Sequence, residues 1–194
     1  MGHAVLSQKT TRIIALGGSL DGGLSTRHAL HCVLMAAESA GATVEMFDIA
    51  ALDLPIYVHR MTPPENVERL LAAVRSADGL VWGSPLYHGS VSGAFKNAID
   101  WLELLSRDDP PYLTDKVVAL VATAGGVQGM QAINAMEQIV RALRGITLPL
   151  VTPIERANQA FAADGSPKDP QLAEQLTRQG TELVRIAGKL RGGR

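Results

Sequence analysis

The feature that most restricts the fold is a repeated change of hydrophobic period along the chain. Uninterrupted apolar or strand-like runs at Arg12–Leu16, Thr43–Phe47, Gly79–Trp82, Val117–Ala122 and Ile146–Val151 alternate with segments in which apolar residues recur at helical spacing. Ala29, Leu30, Val33, Leu34 and Ala37 form one such helical face, with Ser25 or Thr26 as its cap and Gly41 at its end. Val67, Leu70, Leu71 and Val74 form the next, after Pro64. Phe95, Ala98, Ile99 and Leu102 follow Ser92 as cap, Ile133, Met136, Val140 and Leu143 end at Gly145, and Leu172, Leu176, Leu183, Ile186 and Leu190 follow Pro170. Strands apolar on both faces, separated by amphipathic helices, imply a parallel sheet covered on both sides and joined by right-handed crossovers.

Five strands in this pattern predict an α/β three-layer sandwich with sheet order 2-1-3-4-5, the flavodoxin-like arrangement. At 194 residues the chain reads as one domain, 1–194, with a loosely ordered N-terminus over 1–10. Pro149 places the fifth strand at a sheet edge or the proline at a strand end. A formal net charge of -1 gives no electrostatic reason to expect nucleic acid or an anionic membrane as partner. A lone Cys32 excludes an internal disulfide, and with no bilayer-length apolar run the expectation is a cytoplasmic protein.

In that order the loops after strands one, three and four open at the carboxyl edge, where such sheets bind ligands, and these are the three glycine-rich turns. The first joins Gly17, Gly18, Gly22 and Gly23 to Ser19, Ser25 and Thr26 at a helix start, where amides, hydroxyls and the helix dipole can hold a phosphate. It has neither the Gly-Lys-Ser/Thr ending of a P-loop nor G-x-G-x-x-G spacing, so a mononucleotide is the better match. The second runs from Gly83 to Leu102, with Pro85, Gly89 and Gly93 shaping a sharp turn and Tyr87 and His88 as walls or polar handles. The third is Thr123-Ala124-Gly125-Gly126, whose backbone donors and acceptors suit a planar heterocycle.

Ser84-Pro85-Leu86-Tyr87-His88-Gly89-Ser90, followed by Gly93, Lys96-Asn97-Ala98 and Asp100, resembles the S-P-x-Y-x-G-S-x-x-G-x-x-K-N-x-x-D pattern of the NADPH-dependent FMN reductase family. Gly18-Ser19-Leu20 resembles the opening of that family's phosphate loop, and the likeness runs from about Arg12 to about Leu150. The resemblance implies FMN as cofactor and NADPH or NADH as co-substrate. It assigns Ser19, Ser25 and Thr26 to the phosphate, Pro85, Leu86, Tyr87, His88 and Gly89 to the ring, and Thr123, Ala124, Gly125 and Gly126 to the loop beside it. The chain departs from the family at Asp21, where Arg is usual, which sets a negative charge near the phosphate. The resemblance also implies a homodimer or homotetramer in which Leu54-Pro55-Ile56-Tyr57 of one subunit helps cover the partner's flavin, with Trp101 and Leu104, off their helix's inner face, available to the interface.

The implied reaction is hydride transfer from nicotinamide to flavin N5 and onward transfer to an acceptor, which calls for no side-chain acid or nucleophile; no catalytic residue is assigned. A bound-FMN quinone, azo or metal-oxyanion reductase on the same scaffold is the alternative, and a non-enzymatic electron carrier the third reading. His28, His31 and Cys32 share a helix but lack a further carboxylate, so no metal site is assigned. Gly17-Gly18-Ser19-Leu20-Asp21 fails the G-x-S-x-G pattern of a serine hydrolase at its last place. Asp48, ending the second strand, is expected in a loop or capping role.

Overall fold

The computed structural model describes residues 10–20 and 23–192. Asp21 and nearly all of the expected loose N-terminus lie outside the described residues. The chain runs β1 (Arg12–Gly17), α1 (Ser25–Ser39), β2 (Thr43–Asp48), α2 (Ile49–Leu52), α3 (Glu65–Ser76), β3 (Gly79–Tyr87), β4 (Ser90–Val91), α4 (Gly93–Asp100) and a 3-10 turn over Trp101–Leu105. It continues through β5 (Val117–Thr123), α5 (Met130–Ala142), β6 (Ile146–Ile154), α6 (Ala157–Ala160) and α7 (Pro170–Gly192).

The sheet order is β2-β1-β3-β5-β6, with every one of these neighbours parallel. Two-residue β4 only folds back on the end of β3, so the five main strands follow the expected flavodoxin-like order. Alternation along each strand splits the core between the two faces. Ile14, Leu16, Leu80, Trp82, Val118 and Leu120 pack toward α3, α4 and α5, whereas Ile13, Ala15, Val81, Val117, Ala119 and Val121 pack toward α1 and α7. All twelve are wholly buried, and burying each large aliphatic among them stabilises the fold by roughly 1.5–3 kcal/mol.

α1 and α7 meet at Gly180, where a Cβ would collide with the Val33 carbonyl and lie 2.8 Å from the Ala36 methyl. β6 runs three residues beyond the expected Val151, and its pairing with β5 shifts register between Val118 and Leu120. Pro149, which has no amide to give a ladder, falls in the shifted segment of this edge strand. Gln179 of α7, wholly buried, closes the gap. Its Nε2 donates to the carbonyls of Leu120 (3.0 Å) and Leu150 (2.8 Å), and its Oε1 accepts from Thr152 Oγ1 at 3.1 Å.

Two local expectations need correction. Ser25 and Thr26 do not cap α1: the cap position is Leu24, and it makes no side-chain bond to the helix. Trp101 is wholly buried and so cannot face a partner, because α4 tightens into the 3-10 turn there and a three-residue repeat rotates the indole inward. Its Nε1 donates to Pro55 O at 3.0 Å and its ring meets Tyr57 edge-on at 5.2 Å. Leu104, the other residue considered for the interface, packs against the core with one side and is only half-buried.

Candidate functional site

The first loop is built on backbone contact. Gly17 stands so close to the Gly83 carbonyl that no side chain fits, and Gly18 turns the chain at φ +126° while its amide donates to Gly83 O at 3.4 Å. Asp48 does cap α2, accepting from Ala50 N at 3.1 Å, and its other oxygen lies 3.6 Å from the Arg27 guanidinium. With no side chain capping α1, the amides of its first turn face the carboxyl edge of the sheet.

The hydroxyls there are already organised by the protein. Ser25 Oγ donates to Ala157 O at 2.8 Å, and Thr26 Oγ1 shares a buried 2.6 Å hydrogen bond with Thr123 Oγ1, tying α1 to the end of β5. Ser19 Oγ lies 3.4 Å from Tyr87 Oη across the opening between the first and second loops.

The second loop is a two-residue hairpin. His88 at φ +49° and Gly89 at φ +81° give the pair of left-handed residues that a type I′ turn requires, and Leu86 and Tyr87 pair with Val91 and Ser90. Buried Ser84 accepts from Ser92 N at 2.9 Å and closes the base of the hairpin, while Ser92 Oγ accepts from Phe95 N at 3.1 Å and caps α4 as expected. Asn97 faces away from the loops. Its Oδ1 accepts from Tyr57 N (2.9 Å) and its Nδ2 donates to Pro55 O (3.0 Å), so it clamps the connection that crosses Trp101.

In the third loop Ala124 N donates to Ile154 O at 2.9 Å, and Ala157 N returns to Ala124 O at 2.9 Å. Arg156 N reaches Gly126 O at 3.1 Å from a left-handed backbone of φ +44°. These bonds seat the one-turn helix α6 against the loop after β5.

All three loops meet at one cavity of about 180 Å³. Ser19, Ser25 and Thr26 line it from the first loop, Pro85, Leu86 and Tyr87 from the second, and Thr123, Ala124 and Gly125 from the third. His88 and Gly89 stand at the exposed hairpin tip and Gly126 lies just beyond the lining. Gly23, Ala157 and Asn158 also line the cavity. The last two come from α6, whose four residues are too short to carry a hydrophobic period and were not readable as a helix. His28 and Cys32 are spent on the far side of α1: His28 meets Phe161 edge-on at 5.6 Å, and Cys32 Sγ faces Gly165 O at 3.9 Å. Burial pushes the Cys32 thiol above its ordinary pKa.

A parallel sheet of this order with its cavity at the carboxyl edge defines a flavodoxin-like nucleotide-binding protein. The family model for NADPH-dependent FMN reductase matches residues 11–159, and the chain belongs to that family. It is 32% identical over 175 residues to NADPH-dependent FMN reductase ArsH of Rhizobium meliloti (strain 1021), covering 90% of this chain and 71% of the relative. It is 29% identical over 195 residues to probable NADPH:quinone oxidoreductase 2 of Oryza sativa subsp. japonica, covering 96% and 93%. The solved flavoenzyme NAD(P)H:(acceptor) oxidoreductase FerB of Paracoccus denitrificans superposes with a TM-score of 0.73 at 27% identity, covering 93% of this chain and 98% of that one. The chain is therefore an oxidoreductase of the FMN- and NAD(P)H-using kind.

Proposed function

We propose that FMN binds across the three-loop edge and that NADPH or NADH reduces it there, with electrons passing on to an acceptor. The observation that carries this reading is the convergence of three loops, far apart in sequence, on one cavity with hydroxyls and a helix start at one side and bare backbone at the other. Gly125 and Gly126 fit a flat ligand. Neither has a left-handed φ, and a Cβ at either would meet nothing within 4 Å, so the chain's own packing does not require glycine at these two places. Bare backbone there suits a ring lying close against it.

FMN held there would supply the redox chemistry, that of a hydride acceptor that can pass electrons onward. Ser19, Ser25, Thr26 and the first amides of α1 hold the phosphate, while Pro85 to Gly89 and Thr123 to Gly126 flank the ring. A phosphate dianion only accepts hydrogen bonds, so Ser25 serves it by turning its proton away from Ala157 O. Thr26 keeps a proton for the ligand when Thr123 is the donor of their shared bond. No side chain is assigned a proton-transfer role.

The cavity's 180 Å³ falls short of the roughly 300–1,000 Å³ that encloses a small ligand, so one chain grips the phosphate end and leaves the ring side open. We assign the cover to a second copy, in a homodimer or homotetramer of one-domain subunits, through the exposed Ile56, Val58 and Met61. Among the described residues no helix is long and apolar enough to cross a membrane, and we read the protein as cytoplasmic. A second reading keeps FMN permanently bound and hands electrons to a quinone, azo compound or metal oxyanion. It is favoured by the apolar Pro85, Leu86 and half-exposed Tyr87 that line the cavity, and by the rice relative's name.

Gly125→Leu tests the site. The side chain has room in the chain alone, so the variant should melt within a few degrees of the parent while FMN affinity, read by quenching of flavin fluorescence, falls at least about tenfold. Unchanged affinity would remove FMN from this cavity.

A further inference from the structure

A dianionic phosphate at the start of α1 finds no counter-charge in its own cavity. Among the described residues, none that lines the three-loop cavity is charged. In sequence the first loop carries an acid, Asp21, where a cation would serve. Two arginines neighbour the cavity along the chain: Arg27 follows Ser25 and Thr26, and Arg156 precedes Ala157. Arg156 lines a separate cavity together with Glu155 and Asp169, so its charge is answered there.

Arg27 is placed differently. Helix side chains tilt toward the N-terminus, so a long side chain in the first turn of α1 reaches back over the helix start. The guanidinium ends at the carboxyl edge of the sheet, its Nε 3.6 Å from Asp48 Oδ2. Asp48 closes β2 and stands in register with Gly17, which closes β1. The other carboxylate oxygen, Oδ1, would be 2.7 Å from a Cβ on Gly18. The guanidinium therefore sits one carboxylate away from the first loop.

The pair that holds it there is loose. A separation of 3.6 Å exceeds hydrogen-bond range, and the arginine side chain is 57% exposed. Exposed pairs of this kind gain little over solvation of the separate charges. The cap of α2 does not depend on the pair, because it is Asp48 Oδ1 that accepts from Ala50 N at 3.1 Å. A phosphate dianion offers the planar guanidinium a more highly charged, bidentate acceptor than the carboxylate does.

We propose that Arg27 is the counter-charge for the flavin phosphate, giving up Asp48 for the phosphate when FMN binds and supplying the cation that position 21 lacks. The inference rests on the assignment of the FMN phosphate to the start of α1. The chemistry recognised is a phosphomonoester, so Arg27 discriminates FMN from riboflavin, the same flavin without its phosphate.

The test titrates flavin-free protein with FMN and with riboflavin and reads quenching of flavin fluorescence. Arg27→Gln should weaken FMN about tenfold or more and leave riboflavin within about twofold. Because the side chain is more than half exposed, this variant should keep the parent's melting midpoint. Arg27→Lys, which keeps the charge but not the planar fork, should recover part of the loss. Asp48→Asn keeps an oxygen for the α2 cap and releases Arg27, so FMN should bind about threefold tighter or more, and the gain should vanish in the double variant with Arg27→Gln. An Arg27→Gln protein with FMN affinity within about twofold of the parent overturns the proposal, and so does an equal loss for both flavins, which would make Arg27 a structural residue only. A gain from Asp48→Asn that persists without Arg27 overturns the exchange, since it would come from removing repulsion alone. Failure of the underlying assignment looks different, because the parent would then bind neither flavin, or bind both unaffected by Gly125→Leu.

Discussion

Asn97 illustrates how one side chain can carry a loop. Its carboxamide meets Tyr57 N and Pro55 O with both ends, and the same Pro55 oxygen takes the Trp101 indole proton. Asn97→Ala leaves the Tyr57 amide without that acceptor, and an unpaired, partly buried donor costs about 1–3 kcal/mol. A lower urea midpoint with faster amide exchange confined to the 53–61 connection is the expected result; uniform exchange would mean that Asn97 does not hold the loop. The family pattern gave Asn97 a place but no role, because the partner oxygen sits 42 residues away in the chain. The hydroxyls were legible as polar residues at a helix start. Their engagement by Ala157 and Thr123 was not, since both bonds depend on how the strand ends come together.

Elements with a clear hydrophobic period were readable in advance. The inward faces of α1, α3, α4 and α5 are the expected ones, and so is the order of the five main strands. What the period cannot report is a change of helix type or a compensated irregularity. The 3-10 turn put Trp101 inside against an α-helical extrapolation, and the β5–β6 register shift stands because a glutamine from α7 satisfies the displaced carbonyls. Gly180, next to that glutamine, lies where the backbone of α1 comes too near for a side chain on α7. Alanine there would gain about 1 kcal/mol in helix propensity, but its methyl meets the Val33 carbonyl, and overpacking of this kind costs about 1–3 kcal/mol. Gly180→Ala should therefore lower the thermal midpoint, and a rise would show that the two helices can separate at little cost.

For the molecule as a whole, the carboxyl-edge site followed from the strand order together with the three glycine loops, while the contribution of α6 depended on the fold. The open side of the cavity and the exposed Ile56, at 75% of its full accessibility, belong together in the proposed assembly. Ile56→Asp places a charge where the second copy is expected to sit. By light scattering it should shift the protein toward monomer, and the monomer should hold FMN more weakly. A parent that is monomeric at working concentration would contradict this part of the account.

The central claim is that flavin in the three-loop cavity is reduced by a nicotinamide nucleotide. Anaerobic mixing of FMN-loaded protein with NADPH, and separately with NADH, tests it most directly through the flavin's visible absorbance. The account predicts rapid bleaching with at least one nucleotide and recovery of the band when an acceptor is added. A band that persists with both would contradict it.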